Sequence, residues 1–384
     1  MGFTGKSTYG AGSGLPEIAE DVADLVAINA PFETPLLDAL GDSTRPARST
    51  LHEWLEDMLL PNTDTVNDTV YGNTLTDTTF GVSNASRFRV GDQIQLDGST
   101  EVMLVTAVNT GANQRTVVRG YGGSTATALA NARPITILGN AALEGDDAAA
   151  SRFTARSRKI NYTQIFASTV EVSGSELAVR QIGIKDELNY QKQQRTRELL
   201  RDLENCVING RAPAATQEGS STVRRTMKGI LPHLVTNKFT PGVNGFPNDT
   251  AVTEEQINSA LRNIWKQSSG QVDLIVVGGV QKRAINQIVM PSRRFDGDVE
   301  SVKNLVSVYE SDFGVCRIVM SRWVPKGVIL FLDSSRIEVL PLAGRSFHFR
   351  PLATTGDRES GQVLGEYTLE LRNENAHGCI TGLN

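Results

Sequence analysis

The sequence predicts an α+β fold interrupted by a small all-β insertion, and three observations point there. The last third is dominated by strand-like segments, "GVCRIVMSRW", "GVILFL", "RIEVLPL", "RSFHFRPL" and "GEYTLELRNENAHGCITGL", in an antiparallel pattern rather than a repeating strand-helix-strand array. Between about residues 61 and 151 the composition shifts towards Thr, Asn, Gly and Val, with turn clusters between short strands. Finally, "DELNYQKQQRTRELLRDLE", Asp186 to Glu204, reads as helix but holds no apolar side chain between Tyr190 and Leu199. Burial of an apolar stripe is what holds ordinary helices in place, so this one must lie across a surface or bridge something.

A chain of 384 residues exceeds what one core usually organises, which suggests two or three folding units. Hydrophobic residues at 39% and charged residues at 21% are globular values and exclude wholesale disorder. The net charge of -5 argues against a broad basic face that grips nucleic acid. The N-terminal "MGFTGKSTYGAGSG" lacks an apolar signal region, and no run is long enough to cross a bilayer, so a cytoplasmic protein without membrane contact is expected. Cys206, Cys316 and Cys379 are odd in number and far apart, as reduced thiols are.

Residues 1–14 are rich in Gly, Ser and Thr and read as mobile, after which Ile18, Val22, Leu25 and Val26 share a helical face. "STLHEWLEDMLLP" fits a helix through Leu51, Leu55, Met58 and Leu59, and equally fits a strand through Leu51, Glu53, Leu55, Asp57 and Leu59. In the insertion, "DQIQL", "EVMLVTAV", "RTVVRG" and "PITIL" are the expected strands. "KINYTQIFASTVEV" alternates with Ile160, Tyr162, Phe166, Val170 and Val172 on one side, and strands just before and after the insertion would be two arms of one interrupted hairpin. A capping box from Ser173 to Glu176 opens a helix expected to stop at Gly183. The polar helix then runs from Asp186 to Gly210, laced by Arg195/Glu198, Glu198/Arg201 and Arg201/Glu204, with Leu199, Leu200, Leu203 and Val207 at its far end. Further on come "TEEQINSALRNIWKQ" with Ile257, Leu261, Ile264 and Trp265 inward, the strand "VDLIVV", and "VQKRAINQIVM", a helix stopped by Pro291.

Catalytic chemistry is hard to find. "GKS" at residues 5–7 lacks the spacing of a phosphate loop, and "VDLIVVGGV" ends in a tight strand-to-helix turn without the G-x-G-x-x-G pattern. "HEWLE" has Glu56 where a zincin needs its second histidine. His377 and Cys379 flank Gly378, but two ligands do not make a metal site. Cys206 reads as packing along the long helix, and Glu53, Glu56 and Asp57 as a solvated acidic face. No catalytic residue, cofactor or metal is expected.

The order of a flexible arm, a long hairpin, a polar long helix and a mixed domain resembles the major capsid protein of tailed bacteriophages, the Hong Kong 97-type fold. "HEWLEDML", "NYTQIFASTVEVSGSELAVRQIGIKDELNYQKQQRTRELLRDLENCVING" and "GEYTLELRNENAHGCITGL" carry the resemblance, which covers nearly the whole chain apart from the β module.

That resemblance implies an N-terminal arm at 1–50, an extended loop at 51–60 and 152–172 broken by the β-rich insertion at 61–151, and an axial domain at 236–334. A peripheral domain at 173–235 and 335–384 would hold the polar helix as its spine. It favours the strand reading of "LHEWLEDML". The implied function is a non-enzymatic shell protein forming hexamers and pentamers of an icosahedral head around double-stranded DNA. The DNA would face the inner surface without sequence-specific binding. The protein would reside in the virion after assembly in the host cytoplasm, with a portal and a decoration protein as partners. No long helical scaffolding segment precedes the arm, which implies a separate scaffolding protein or none. The lysine, asparagine and glutamate of autocatalytic cross-linking in one branch of the fold match no positions here. Arg195, Arg197, Glu198, Arg201, Glu53, Trp54, Glu56 and Asp57 are the expected contacts between subunits. The alternatives are a nucleotide-dependent enzyme built on "VDLIVVGGV" and a surface adhesin built on the β module.

Overall fold

The computed structural model describes residues 33–68, 75–145, 147, 151–179, 186–289, 307–353 and 356–384. The expected helix through Ile18 and Val26, the triplet at residues 5–7, and the helix stops at Gly183 and Pro291 lie outside them. The chain divides into two compact units: one comprises the chain up to Trp54 and again from Arg158 to Asn384, the other Leu55–Ser157.

Helix α1 (Pro35–Leu40) begins with Pro35 in its first turn, where a missing N–H costs nothing, and stops at Gly41 in the left-handed region at φ 74. Its Leu36 is fully buried. Strand β1 (Leu51–Glu56) settles the ambiguous segment: it is extended, with Trp54 buried and Leu55 exposed.

The second unit is one six-stranded antiparallel sheet made of β2 (Thr63–Thr65), β3 (Thr79–Gly81), β4 (Asp92–Leu96), β5 (Val102–Asn109), β6 (Gln114–Val118) and β7 (Pro134–Asn140). The strand order is β2-β7-β4-β5-β6-β3. In β4 the burial alternates residue by residue, which puts Ile94 and Leu96 into a core with Phe80, Met103, Val105, Val117 and Ile135. Gly91 is obligatory, because a Cβ there would lie 2.2 Å from the Ala141 carbonyl oxygen. The unit is wider than the expected 61–151. Strands β2 and β3 are too short to leave a periodic signal, so the sequence does not announce them.

The chain leaves through β8 (Ser157–Tyr162), which pairs with β1 in a two-stranded sheet, and continues into β9 (Gln164–Ser173). These are two strands, not the single one expected. At Thr163 the N–H donates to the Thr50 carbonyl at 2.9 Å and the hydroxyl donates to Glu366 at 2.6 Å. The interruption flips the buried phase: Asn161 and Thr163 point inward before it, and Phe166, Val170 and Val172 after it. Ile160, expected inside, is therefore exposed.

Helix α2 (Gly174–Ala178) is capped by Ser173, whose hydroxyl accepts the Glu176 N–H, and its run ends in extended backbone at Val179. Helix α3 (Glu187–Asn209) spans 23 residues between the Asp186 cap and Gly210, about 35 Å at the standard rise. A side chain at Gly210 would collide with the Cys206 carbonyl.

The remaining elements are α4 (Ile230–His233), β10 (Lys238–Phe239), α5 (Glu254–Gln267), β11 (Leu274–Val277), α6 (Gly279–Val289), β12 (Val308–Ser311), β13 (Gly314–Met320), β14 (Ile329–Leu332), β15 (Ile337–Pro341), β16 (His348–Pro351), β17 (Arg358–Leu371) and β18 (Gly378–Ile380). A capping box between Thr253 and Gln256 starts α5. Ile257, Ala260, Leu261 and Ile264 complete its buried stripe, and Trp265, expected inward, is 64% exposed beside that stripe.

A six-stranded sheet runs β10-β18-β14-β11-β13-β12. It is mixed rather than antiparallel throughout, since β11 lies parallel to β13, and β10 to β18. Its central strands β11 and β14 are buried on both faces, as their unbroken apolar runs require. Leu274, Val276, Leu330 and Leu332 join α1 and α3 in one core, while Ile275, Val277, Ile329 and Phe331 join α5 in another. Strand β18 sits inside this sheet although it falls in the span 335–384 expected to be peripheral. A second sheet is built on the long β17, which pairs antiparallel with β9, β15 and β16.

Candidate intersubunit surfaces

The N-terminal half of α3 carries no buried residue; Leu199, Leu203, Glu204, Val207 and Ile208 are buried at its other end. Polar side chains brace this half-buried part. Lys192 stands 4.1 Å over the Phe349 ring, and the Thr196 hydroxyl donates to the Lys192 carbonyl at 2.8 Å. Of the expected lacing, Arg195–Glu198 forms at 2.8 Å. Arg201 instead meets Asp202 at 3.3 Å, because Glu204 turns inward and is fully buried. Arg197 is half-buried on the same helix.

Glu53 faces Arg158 at 3.5 Å with both side chains exposed, and Asp57 faces Arg156 at 3.7 Å in the other unit; such pairs hold little stability and leave the charges available. Glu56 is half-buried. Trp54 differs from the other seven expected contacts. Its ring is turned into its own subunit, with ring centroids 6.0 Å from His52 and 6.5 Å from His233. Burial pushes the His233 imidazole down to about 4, and its Nδ1 donates to the Gly229 carbonyl.

Three buried carboxylates are the groups that sequence reasoning missed. Glu204 accepts the Ser321 hydroxyl at 2.6 Å and the N–H groups of Leu36 and Leu37 at 3.2 and 3.4 Å, so it binds the start of α1 to α3. Burial raises its pKa, only partly offset by those hydrogen bonds. Glu370 takes Arg45 at 2.7 Å and His52 Nε2 at 2.5 Å. Burial works to raise its pKa, but the His52 and Arg45 hydrogen bonds win and hold it below the usual carboxylate range. Glu366 receives Thr163, Arg225 at 2.5 Å and Arg345 at 2.9 Å. The available signal was acid at every fourth position in the apolar "GEYTLELR", since charges inside a strand that is otherwise core must be paired.

His377 and Cys379 are both buried. The His377 Nδ1 accepts the Asp333 N–H at 3.1 Å and Nε2 donates to the Arg372 carbonyl at 3.2 Å, while burial pushes its pKa down to about 4. Burial pushes the Cys379 thiol up to about 11. Among the described residues no group of three His, Cys, Asp or Glu could hold a metal ion, and no helix is long and apolar enough to cross a membrane. Gly278 alone links β11 to α6, which begins at Gly279.

The sequence model of the family described as SU10 major capsid protein matches residues 2–384. Among solved structures, the capsid of an empty GTA particle is 8% identical over 98% of this chain and 99% of that one, with a TM-score of 0.55. Structures from Microbacterium phage Oxtober96 and Gordonia phage Cozz each reach a TM-score of 0.52. The first is 13% identical over 95% of this chain and 96% of its own, the second 11% identical over 99% and 96%. At these identities the likeness concerns the fold, which is the Hong Kong 97-type phage capsid fold. No curated protein matches the chain. The family match across nearly the full sequence makes this chain a member of the SU10 major capsid protein family, a capsid-forming structural protein.

Proposed function

We propose that the protein builds the hexamers and pentamers of an icosahedral phage head around double-stranded DNA, without enzymatic activity. The observation that carries this reading is α3, a 23-residue helix whose N-terminal half is only half-buried and contributes no residue to the core of its own subunit. A plate-like shell subunit has use for such a helix, because solvent and neighbouring copies can face it along its length. Residues 51–60 and 152–172 would then be the loop that laps a neighbour, 1–50 the arm, and 61–151 the interruption of that loop. The peripheral domain takes 173–235 and 335–384, and the axial domain 236–334. Arg195, Arg197, Glu198 and Arg201, with Glu53, Glu56 and Asp57, are the contacts we assign between copies; Trp54 acts from within by fixing β1. The portal, a separate scaffolding protein and a decoration protein are proposed partners, with DNA lying against the inner surface and assembly taking place in the host cytoplasm.

Negative-stain microscopy of the purified chain tests this. Closed shells, rings or tubes are expected. A uniformly small monomer at high concentration, unchanged by any assembly partner, would remove the reading.

A further inference from the structure

Among the described residues, the six-stranded sheet ends in two strands paired on one side only, β12 and β10. An open edge offers unpaired backbone donors and acceptors, and natural proteins protect it unless something pairs with it. Both ends here carry exposed apolar side chains instead. Beside β12, Val308 is 50% and Val315 55% exposed, and Trp265 stands over Phe313 with ring centroids 6.0 Å apart. The two rings flank a hollow of about 320 Å³ at the end of α5. Beside β10, Val235 is 75% and Val243 49% exposed. The charges differ in sign: β12 and its turn present exposed Glu310 and Asp312, whereas β10 presents exposed Lys238. Arg317 lies one strand in from the acidic edge, opposite Val308, and Arg262 and Lys266 are exposed on α5 beside Trp265. The strand edge itself remains acidic.

We infer that a second copy of this chain docks across these two edges head to tail, the β12 edge with its Trp265–Phe313 hollow receiving the β10 edge of the next subunit. This rests on the shell-forming reading and deepens it. Two different surfaces on opposite ends of one sheet make a heterologous contact, which closes into a ring when the rotation between successive copies closes, as hexamers and pentamers require. An isologous pairing of β12 with itself would set Glu310 and Asp312 against their own copies and is disfavoured by like charge.

The test uses the full chain. Particles are assembled from a mixture of ¹⁵N-labelled and unlabelled subunits, treated with a zero-length carbodiimide, and the joined peptides are read by mass spectrometry. Mixed-isotope peptides linking Lys238 to Glu310 or Asp312 are expected. Their absence from well-formed particles overturns the inference while leaving the shell reading intact; failure of the wild-type chain to assemble overturns both. A charge swap supplies the second arm. Glu310→Lys with Asp312→Lys should cut particle yield at least tenfold without changing subunit melting, because both side chains are exposed, and adding Lys238→Glu should restore most of it. Unimpaired assembly of the double variant, or a folded double variant that Lys238→Glu does not rescue, counts against the head-to-tail contact. If the double variant melts early, the cross-link result alone decides.

Discussion

The carboxylate of Glu204 on α3 accepts the hydroxyl of Ser321, just past β13, at 2.6 Å, and its other oxygen takes two backbone N–H groups of α1. One buried acid thus ties three distant parts of the chain. Replacing it by alanine leaves all three donors unpaired, and a loss of about 2–3 kcal/mol in unfolding free energy is expected. The sign with pH is specific. Because the folded value is raised, the folded state holds this proton more tightly. Its contribution to stability is complete below the ordinary carboxylate value and falls as pH rises towards the raised one. Glu204→Gln should remove that slope while keeping the shape, as chemical denaturation at several pH values would read.

Glu370 should behave in the opposite sense. Its folded value is depressed, so its contribution is present above the unfolded value of 4.5 and is lost as pH falls through the depressed one. Arg45→Ala removes one of its three partners, His52 and Arg372 being the others, and the midpoint of acid unfolding followed by circular dichroism should move to higher pH. An unmoved midpoint would mean that the Arg45–Glu370 contact contributes nothing.

Arg115 is the anomaly of the insertion. Its guanidinium lies 4.1 Å from the centre of the Phe80 ring and 4.3 Å from that of Phe88, is 1% exposed, and has no hydrogen-bond partner on any nitrogen. Burial pushes its pKa down to about 9, against the pull of Asp64. Sandwiching between two rings returns about 2 kcal/mol, less than the several that stripping water from the charge costs. Arg115→Met should therefore keep the fold and match or exceed the wild type by about 1–4 kcal/mol. A markedly less stable variant in calorimetry would show that the charge has a partner role.

The half-buried N-terminal half of α3 gives a contrasting expectation. Changing Arg195 and Arg197 together to Glu removes no fully buried side chain and only the half-exposed Arg195–Glu198 pair of those described, so it should alter subunit stability by about 1 kcal/mol or less. Assembly should fail at low salt and recover in part as salt screens the repulsion. Circular dichroism and sedimentation on one sample separate the outcomes: an unfolded variant places the helix centre in a core, and normal assembly places it in water.

Removal of the insertion is the last test. Neither core of the first unit includes a residue from Leu55–Ser157. Joining the arms by a short turn should thus leave a cooperative melt, whereas a broad, gradual transition would show that the module supports the rest.

Local chemistry made much of this fold legible. Asp186 and Gly210 bracket α3 as the cap and stop signals foretell, and the alternation in "DQIQL" sets β4 to the residue. What escaped depends on distant neighbours. Nothing near Thr163 reveals that Glu366 will reverse the strand's phase there, and Trp265 looks as core-directed as Ile264 until the width of the sheet beneath α5 is known. Among the contact residues, charge on α3 was readable from its bare centre. The inward turns of Glu204 and Trp54 were not, because each answers to a partner more than a hundred residues away.

Strand β18, made about 140 residues after β10, lies between β10 and β14 rather than at an edge, and β9 finds its ladder partner only when β17 has been translated. Neither the six-stranded sheet nor the sheet built on β17 can close before those strands exist. Completion of these two sheets must wait until β17 and β18 have been made, with long-range pairings that are inherently slow and that leave β9 open to chaperones meanwhile. The same order of events works as a quality check, since a chain truncated before residue 378 cannot join β10 to β14 and so cannot contribute a finished sheet to a growing shell.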